Sequence, residues 1–147
     1  MSQKQRRLGT GGLTMREILF RGKRTDNGEW EYGDLWCNPY GKRAVCIVSP
    51  INDQGTTGGN EVDPETVGQF IGLYDKNSQK IFEGDIIKGK VHEINGYRVR
   101  RGVVEYHGVG FIMNLEPNSW YNQKNIPFDC EIIGNIYDNP ELLKRWC

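Results

Sequence analysis

The sequence predicts a mainly β protein, folded as a compact barrel with additional strands and one short C-terminal helix. Two observations support this prediction. Nineteen of the 147 residues are glycine and only six are proline, and the glycines lie between short apolar runs, as they do where many turns connect strands. Several of those runs alternate apolar and polar residues with a period of two, which is typical of a half-buried strand.

The first half of the chain predicts three strands separated by turns. Asp26, Asn27 and Gly28 form a turn sequence between the first two strands, and Pro50 ends the third, an apolar run typical of a buried strand. Residues 52–60 are polar and rich in glycine, which predicts a flexible loop. The predicted strands are residues 17–22, 30–36 and 43–48.

The second half of the chain predicts six strands and the only helix. Residues 75–78 predict a turn, and Asn95-Gly96 is the strongest short signal for a hairpin. Near the C-terminus, Asn139 suits a helix cap, Pro140 suits the first helical position, and residues 141–146 are enough for about two turns. The predicted strands are residues 67–74, 80–82, 86–94, 97–106, 111–115 and 130–136.

Charge and length set the limits of the molecule. Nineteen basic and nineteen acidic residues give a formal net charge of zero, which argues against a protein that coats nucleic acid by bulk charge. We expect one domain over residues 15–147, burying roughly two-thirds of its surface. No apolar run reaches the roughly 18 residues of a membrane span, and the first residues lack the apolar segment of a signal peptide.

Residues 1–14 differ in composition from the remainder. They contain three basic residues and no acidic residue, and they are polar and rich in glycine, which predicts a disordered leader. Without their three positive charges the rest has 16 basic and 19 acidic residues, a net charge of −3. Met15 then becomes a second plausible start. The leader is an expression remnant, a misassigned start or a native basic arm, and the sequence leaves these open.

The cysteines predict no metal site. They form no C-x-x-C pair, and the chain has only two histidines, so the ligand spacing of a structural zinc site is absent. We expect free thiols in a reducing cytoplasm, with no sequence signature of a cysteine nucleophile. The four cysteines are Cys37, Cys46, Cys130 and Cys147.

Residues 86–106, named here the basic hairpin, hold a local concentration of positive charge. A two-residue turn at Asn95-Gly96 would place Glu93 opposite Arg98 as an ion pair and Lys90 opposite Arg101. Like charges directly opposed are mildly destabilising, so the second pair marks a basic cluster on a neutral protein. The same pairing predicts two faces: Lys88, Lys90, His92, Tyr97 and Arg101 on one, and Arg98 and Arg100 on the other. The candidate residues for binding an anion, a nucleic acid or a ligand are Lys88, Lys90, His92, Arg98, Arg100 and Arg101.

Two interpretations of this cluster remain open. The side chains either diverge into solvent, or they form a site for phosphate, nucleic acid or an acidic partner. A slip of one residue in the hairpin register would scatter the cluster.

Trp120 and Tyr121 lie in a polar loop and are candidate contacts to a partner, or else they fold back onto the barrel.

No constellation of residues points to catalysis. Glu83 and Asp85 flank Gly84, and paired carboxylates serve acid–base chemistry or hold a metal, but turn formation already explains Asp85. No phosphate-binding loop, nucleophile elbow, zinc-protease motif or dinucleotide fingerprint is present. We therefore expect a protein that is not an enzyme, with no catalytic residue, no cofactor and no bound metal.

Four ordered stretches resemble the YopX-type protein family of phages and prophages. They are MREILFRGK at residues 15–23, VDPETVGQFIGLYDKN at 62–77, IFEGDII at 81–87 and EIIGNIYDNPELL at 131–143. The resemblance covers residues 15 to about 143 and implies an SH3-like barrel core, a cytoplasmic setting in a bacterial host cell, and self-assembly as a homo-oligomer. It does not imply a settled biochemical activity. Two Gly-Asp pairs, at residues 33–34 and 84–85, indicate either a two-part architecture or two similar turns, and we favour similar turns.

Three functions are carried forward from the sequence. The first is a small binding protein that assembles on itself and engages nucleic acid or another anionic partner through the basic hairpin. The second is an accessory protein that binds or sequesters a small phosphorylated ligand such as a nucleotide, for example in counter-defence. The third is a structural role in assembly.

Overall fold

The computed structural model describes residues 7–8, 13–14, 16–38, 45–52, 55–56, 58–115 and 123–145. The chain divides into two compact units, residues 1–67 and residues 68–147. Most of the predicted leader lies outside the described residues, so its disorder stays a prediction, as does the single domain over residues 15–147.

The described residues of the first unit form eight short strands and one 3₁₀ turn, Pro64–Thr66, capped by Asp63. The mainly β prediction holds here, although three of the strands lie within the predicted flexible loop at residues 52–60 or at its edges. The strands are β1 (Arg7–Leu8), β2 (Leu13–Thr14), β3 (Phe20–Lys23), β4 (Trp30–Asn38), β5 (Val45–Ser49), β6 (Ile51–Asn52), β7 (Gly55–Thr56) and β8 (Asn60–Val62).

The main sheet of the first unit is antiparallel, in the order β3-β4-β5-β8. Its core consists of the buried side chains of Cys46, Val48 and Val62. A single bridge between Arg24 and Val62 links the end of β3 back to β8. A closed barrel needs a continuous ladder at this seam, and the bridge does not supply one. The predicted SH3-like barrel is therefore wrong as a closed barrel, because the described strands form open antiparallel sheets.

The two Gly-Asp pairs occupy different structures. Gly84 has a φ of 88°, and the carboxylate of Asp85 accepts a hydrogen bond from the Phe82 backbone N–H at 2.8 Å, as a turn of this kind requires. Gly33 instead lies inside β4, where a Cβ atom would collide with the backbone carbonyl oxygen of Ser49. The interpretation as two similar turns is therefore wrong for the first pair, whose glycine permits close approach of two strands.

Cys37 and Cys46 lie directly opposite each other on β4 and β5 and form a disulfide bond, with their Cα atoms 4.2 Å apart. This corrects the expectation of four free thiols. The sequence did not indicate the pair, because the two cysteines are nine residues apart and meet only through the strand register. Cys130 is free and buried, and burial raises the pKa of its thiol. Cys147 lies outside the described residues.

We expect thiol titration of the denatured, unreduced protein to detect two thiols rather than four, since Cys37 and Cys46 are paired. Reduction should lower the free energy of unfolding by about 2.5 kcal/mol, because the bond closes a short loop. The same titration on Cys37→Ser should detect three thiols, which provides the control. Four thiols in the unreduced wild type would contradict the bond.

Where the structure describes the second unit it has seven strands, and all six predicted strands are confirmed within a few residues at each end. Its main sheet is antiparallel, in the order β14-β13-β12-β11-β15, and β9 and β10 form a hairpin. The strands are β9 (Gly68–Tyr74), β10 (Lys80–Phe82), β11 (Asp85–Glu93), β12 (Gly96–His107), β13 (Gly110–Asn114), β14 (Gln123–Lys124) and β15 (Glu131–Asn135).

One face of this sheet covers a compact apolar core. Ile87 and Val91 lie on the same face of β11, as the period of a pleated strand requires. Partly buried Ile126, from the loop before β15, packs against the same cluster. The buried members of the core are Ile81, Ile87, Val91, Val104, Met113 and Cys130.

The predicted C-terminal α-helix is wrong. Residues Pro140–Arg145 form a 3₁₀ helix instead, and six residues are too few for an isolated α-helix to be stable. The predicted cap residue has another role, because the side-chain oxygen of Asn139 accepts a hydrogen bond from the Asn135 backbone N–H at 3.2 Å. Among the described residues, no helix is long and apolar enough to cross a membrane.

Candidate functional site

Strands β11 and β12 pair in a register two residues away from the predicted one. Lys88 lies opposite Arg101, Lys90 opposite Val99, and His92 opposite Tyr97. The predicted opposition of Lys90 and Arg101 is therefore wrong. The like-charged pair exists, but Lys88 replaces Lys90 in it.

The turn explains the shift. A two-residue turn centred on Asn95-Gly96 would need a positive φ at both residues. In the structure Gly96 has a φ of 112° and Asn95 does not have a positive φ. The chain therefore turns over Ile94 and Asn95, and β12 begins at Gly96. This geometry is typical of a turn followed by a glycine bulge.

A shift of two residues leaves each side chain on its predicted face, because side chains alternate with a period of two. Lys88, Lys90, His92 and Arg101 therefore share one face of the hairpin, and Arg98 and Arg100 lie on the other. The six candidate residues thus belong to two surfaces, as the predicted faces also have it.

The far part of the hairpin extends beyond the strands that flank it. Pairing with β15 ends at Lys88 and Glu131, and pairing with β13 begins at Val103 and Asn114. In the described portion of the sheet, residues 89–101 therefore form a two-stranded ribbon. Its first residues are packed: Gly89 lies against the ring of Pro127, leaving too little room for a Cβ atom, and Val91 is buried in the core.

Charges on the lysine-bearing face are partly compensated by the neighbouring strand. Lys88 lies between Arg101 on β12 and Glu131 on β15. The ammonium group of Lys76 contacts the Glu131 carboxylate at 2.7 Å. The hydrogen bond from Lys76 lowers the pKa of Glu131, and the same contact raises the pKa of Lys76. Lys90 is opposite an apolar residue, so its charge is not offset across the ladder.

An open groove of about 560 Å³, named here the lysine groove, lies along this face. Tyr97 is 75% exposed and Val99 is 56% exposed, and the Phe128 side chain is fully exposed. The groove thus combines ammonium groups, two carboxylates and two aromatic rings. Its lining consists of Lys76, Lys88, Gly89, Lys90, Tyr97, Val99, Phe128, Asp129 and Glu131.

A second groove, of about 750 Å³, lies at the tip of the hairpin and contains the arginines. The Glu93 carboxylate accepts a hydrogen bond from Arg100 Nε at 2.8 Å, and Arg98 Nη1 lies 3.9 Å from its other oxygen. The hydrogen bond from Arg100 lowers the pKa of Glu93. The predicted Glu93–Arg98 ion pair is present, but Arg100 makes the shorter contact. Lys124 also lines this groove.

Comparison with known proteins identifies the family. A family model described as YopX protein matches residues 19–144. The chain belongs to the YopX protein family. The resemblance predicted over residues 15 to about 143 is thereby confirmed. No curated protein matches the chain. The crystal structure of protein EF1440 from Enterococcus faecalis is 22% identical, with a TM-score of 0.49, and the match covers 88% of this chain and 99% of that chain.

The structure adds residues to the site of this YopX-family protein that sequence reasoning missed. Lys76, Phe128 and Asp129 line the lysine groove and are absent from the predicted site. Tyr97 also lines the groove; its prediction on the lysine-bearing face is correct, but it was not assigned to the site. Phe128 lies in a loop without periodicity, so no sequence signal placed it beside the hairpin. The predicted partner contacts Trp120 and Tyr121 lie outside the described residues.

The carboxylates considered for catalysis have structural partners in this YopX-family chain. Glu83 accepts a hydrogen bond from the Gln69 backbone N–H at 2.8 Å, and Asp85 is buried at its turn. Glu105 accepts hydrogen bonds from His107 and Asn114, at 2.9 and 3.0 Å. Within the described residues, no three His, Cys, Asp or Glu side chains cluster as a metal site requires.

Proposed function

We propose that this YopX-family protein is a binding protein, not an enzyme, and that its basic hairpin engages nucleic acid. One observation carries the proposal: the hairpin extends beyond its flanking strands with five cations and one carboxylate among residues 88–101. On a chain with a net charge of zero, that concentration gives a local positive potential that attracts phosphates.

The arrangement of these cations favours a polymeric anion. Lys88 and Lys90 are two residues apart on one strand and point to the same side, which separates their Cα atoms by about 6.7 Å. Arg98 and Arg100 repeat this spacing on the opposite face. A ribbon with cations at regular intervals on both faces can contact several phosphates of one nucleic-acid strand. Cations that only interact with solvent would not need such regular spacing.

A small phosphorylated ligand is the second candidate, and the lysine groove favours it. Its volume of about 560 Å³ lies in the range of about 300–1,000 Å³ that small-molecule sites occupy. A nucleotide would place its phosphate at the lysines. A rise in melting temperature with a mononucleotide would support this candidate.

The wider biological setting forms part of the proposal. A protein of phages and prophages, acting in the cytoplasm of a bacterial host as a homo-oligomer, is what the family resemblance implies. A purely structural role in assembly is the remaining alternative. Light-scattering mass measurement tests self-association, and absence of any ligand in a protein that assembles would favour the structural role.

Reversal of one charge in the hairpin tests the proposal. Lys90→Glu should weaken binding to a labelled 20-nucleotide oligonucleotide by about tenfold at low salt and reduce the salt slope by about one. The reason is that Lys90 is exposed and opposite Val99, so no ladder partner compensates its charge. Fluorescence anisotropy from 50 to 300 mM salt measures both quantities.

Arg16→Glu is the matched control for this experiment. It makes the same change in net charge at an exposed position in the other unit, so bulk charge alone would affect both variants equally. Equal loss of affinity in the two variants would contradict a site on the hairpin. Wild-type protein without salt-dependent binding to any nucleic acid would overturn the proposal itself.

A further inference from the structure

We infer that the lysine groove binds an unpaired nucleotide, with the base stacked on Tyr97 and Phe128 and the phosphate held by Lys88 and Lys90. The inference rests on the proposed function and specifies the form of nucleic acid that the hairpin recognises. Two sources share this chemistry, a single strand and a free nucleotide.

Exposure of two aromatic rings in one groove is the first argument. Phe128 is fully exposed and Tyr97 is 75% exposed, yet both line the same groove. The Tyr97 ring contacts the opposed His92 ring edge to face, with centroids 5.2 Å apart, which restrains its position. Large apolar surfaces that stay in water mark places where a partner binds, and aromatic faces beside a cationic groove are the usual platform for unpaired bases.

The lysines provide the second argument. Lys88 and Lys90 line the groove on the same strand face as the Tyr97 ring. Lys76 also lines it but is held by Glu131 at 2.7 Å, so it neutralises a carboxylate rather than a ligand. Among the described residues, Lys90 has no ion-pair partner, which leaves its ammonium group available for a phosphate.

The carboxylate of Asp129 gives the third argument, because it excludes a ligand made of phosphate alone. Asp129 lines the groove together with the lysines, and it would repel a polyphosphate. A carboxylate accepts hydrogen bonds from the exocyclic amino groups of adenine and cytosine. A nucleotide satisfies both ends of the groove, since it offers an anion to the lysines and donors to the carboxylate. Bases that carry an amino group should therefore bind better than thymine or uracil.

Base pairing would prevent this mode of binding. In a duplex the base faces are stacked on each other, so the two aromatic rings would find no base face to stack on. The amino groups keep one free N–H in the major groove, so the rings and not Asp129 discriminate between unpaired and paired nucleotides. We therefore expect the lysine groove to bind unpaired nucleotides with higher affinity than paired nucleotides of the same sequence.

Aromatic truncation tests the inference directly. Tyr97→Ala and Phe128→Ala should each weaken binding to a labelled 12-nucleotide adenine strand by about 5- to 150-fold, the range expected for loss of one stacked base. Binding to a duplex of the same length should change less than about threefold. Tyr106→Ala is the matched control, because Tyr106 is an exposed aromatic residue on the same strand but outside the groove.

The outcomes separate the inference from the proposed function. Equal wild-type affinity for strand and duplex, with aromatic variants unchanged, would overturn the inference and leave nucleic-acid binding intact. Loss of affinity in both variants, with far-ultraviolet circular dichroism unchanged, supports it. Adenosine monophosphate titrated by calorimetry distinguishes the sources: an affinity equal to that of the strand identifies a free nucleotide, and a much weaker affinity identifies the polymer. Failure of every nucleic acid to bind would overturn both.

Discussion

Replacement of Asp75 by alanine is expected to lower the free energy of unfolding by about 4 kcal/mol, because three backbone donors lose the buried carboxylate that accepts their hydrogen bonds. One carboxylate oxygen of Asp75 accepts hydrogen bonds from the backbone N–H groups of Asn77 and Gln79, each at 2.9 Å. The other accepts from Ile132 at 3.1 Å. Asp75 is only 7% exposed, so water does not readily replace these bonds.

The charge of Asp75 makes this contribution dependent on pH. Burial alone would raise the pKa of Asp75, but the backbone hydrogen bonds from Ile132, Gln79 and Asn77 outweigh it and lower the pKa. A lowered pKa in the folded state means that the unfolded chain binds the proton more readily. The stabilisation is therefore present above the ordinary aspartate pKa of about 3.9 and is lost as the pH falls through the folded value.

Urea denaturation from pH 3 to pH 7 measures both effects. Asp75→Asn should lose about half as much stability as Asp75→Ala. Its amide oxygen still accepts hydrogen bonds, but its NH₂ group is itself a donor and cannot accept from the third backbone N–H. Asp75→Asn should also lose less stability than the wild type as the pH falls, although the loss does not vanish, because Glu93 and Glu131 also have lowered pKa values. Asp34→Asn, at an exposed position of β4, is the control. An Asp75→Asn profile parallel to that of the wild type would contradict the role assigned to the ionised carboxylate.

The position of most strands and the faces of the basic hairpin follow from the sequence. Because side chains alternate between the two faces with a period of two, a register error of two residues leaves each side chain on its face. The predicted face of Lys88, Lys90 and His92 is therefore correct. The register itself depends on a single backbone angle. Asn95 does not adopt the positive φ that the predicted turn needs, and no sequence pattern determines that choice between two common turns.

Features that depend on contacts distant in sequence were missed. The bond between Cys37 and Cys46 depends on the pairing of β4 with β5. Closure of a barrel depends on a seam where the described residues form a single bridge, between Arg24 and Val62. The approach of Phe128 to the hairpin depends on a loop without periodicity. Local patterns specify strands and faces, whereas the assembly of strands into sheets and grooves is set by long-range packing.

The base of the basic hairpin gives the second large stability prediction. Gly102 lies on β12 opposite Ile87, where the projecting ribbon joins the buried sheet. A Cβ atom added there would lie 2.5 Å from Met113 Cγ and 2.6 Å from the backbone oxygen of Asn114. Both neighbours are fully buried, so they have little room to move. Gly102→Ala should therefore lower the free energy of unfolding by about 3 kcal/mol.

Gly110→Ala separates this steric effect from the general effect of replacing glycine. Gly110 lies on the neighbouring strand β13 without a positive φ, and a Cβ atom there would meet no atom within 4 Å. Alanine restricts the unfolded chain more than glycine does. The free energy of unfolding of Gly110→Ala should therefore equal that of the wild type or exceed it by up to about 1 kcal/mol. Urea midpoints of the two variants give the comparison. If Gly102→Ala matched Gly110→Ala, the strands would be free to separate at this point, and the hairpin would not be held rigidly at its base.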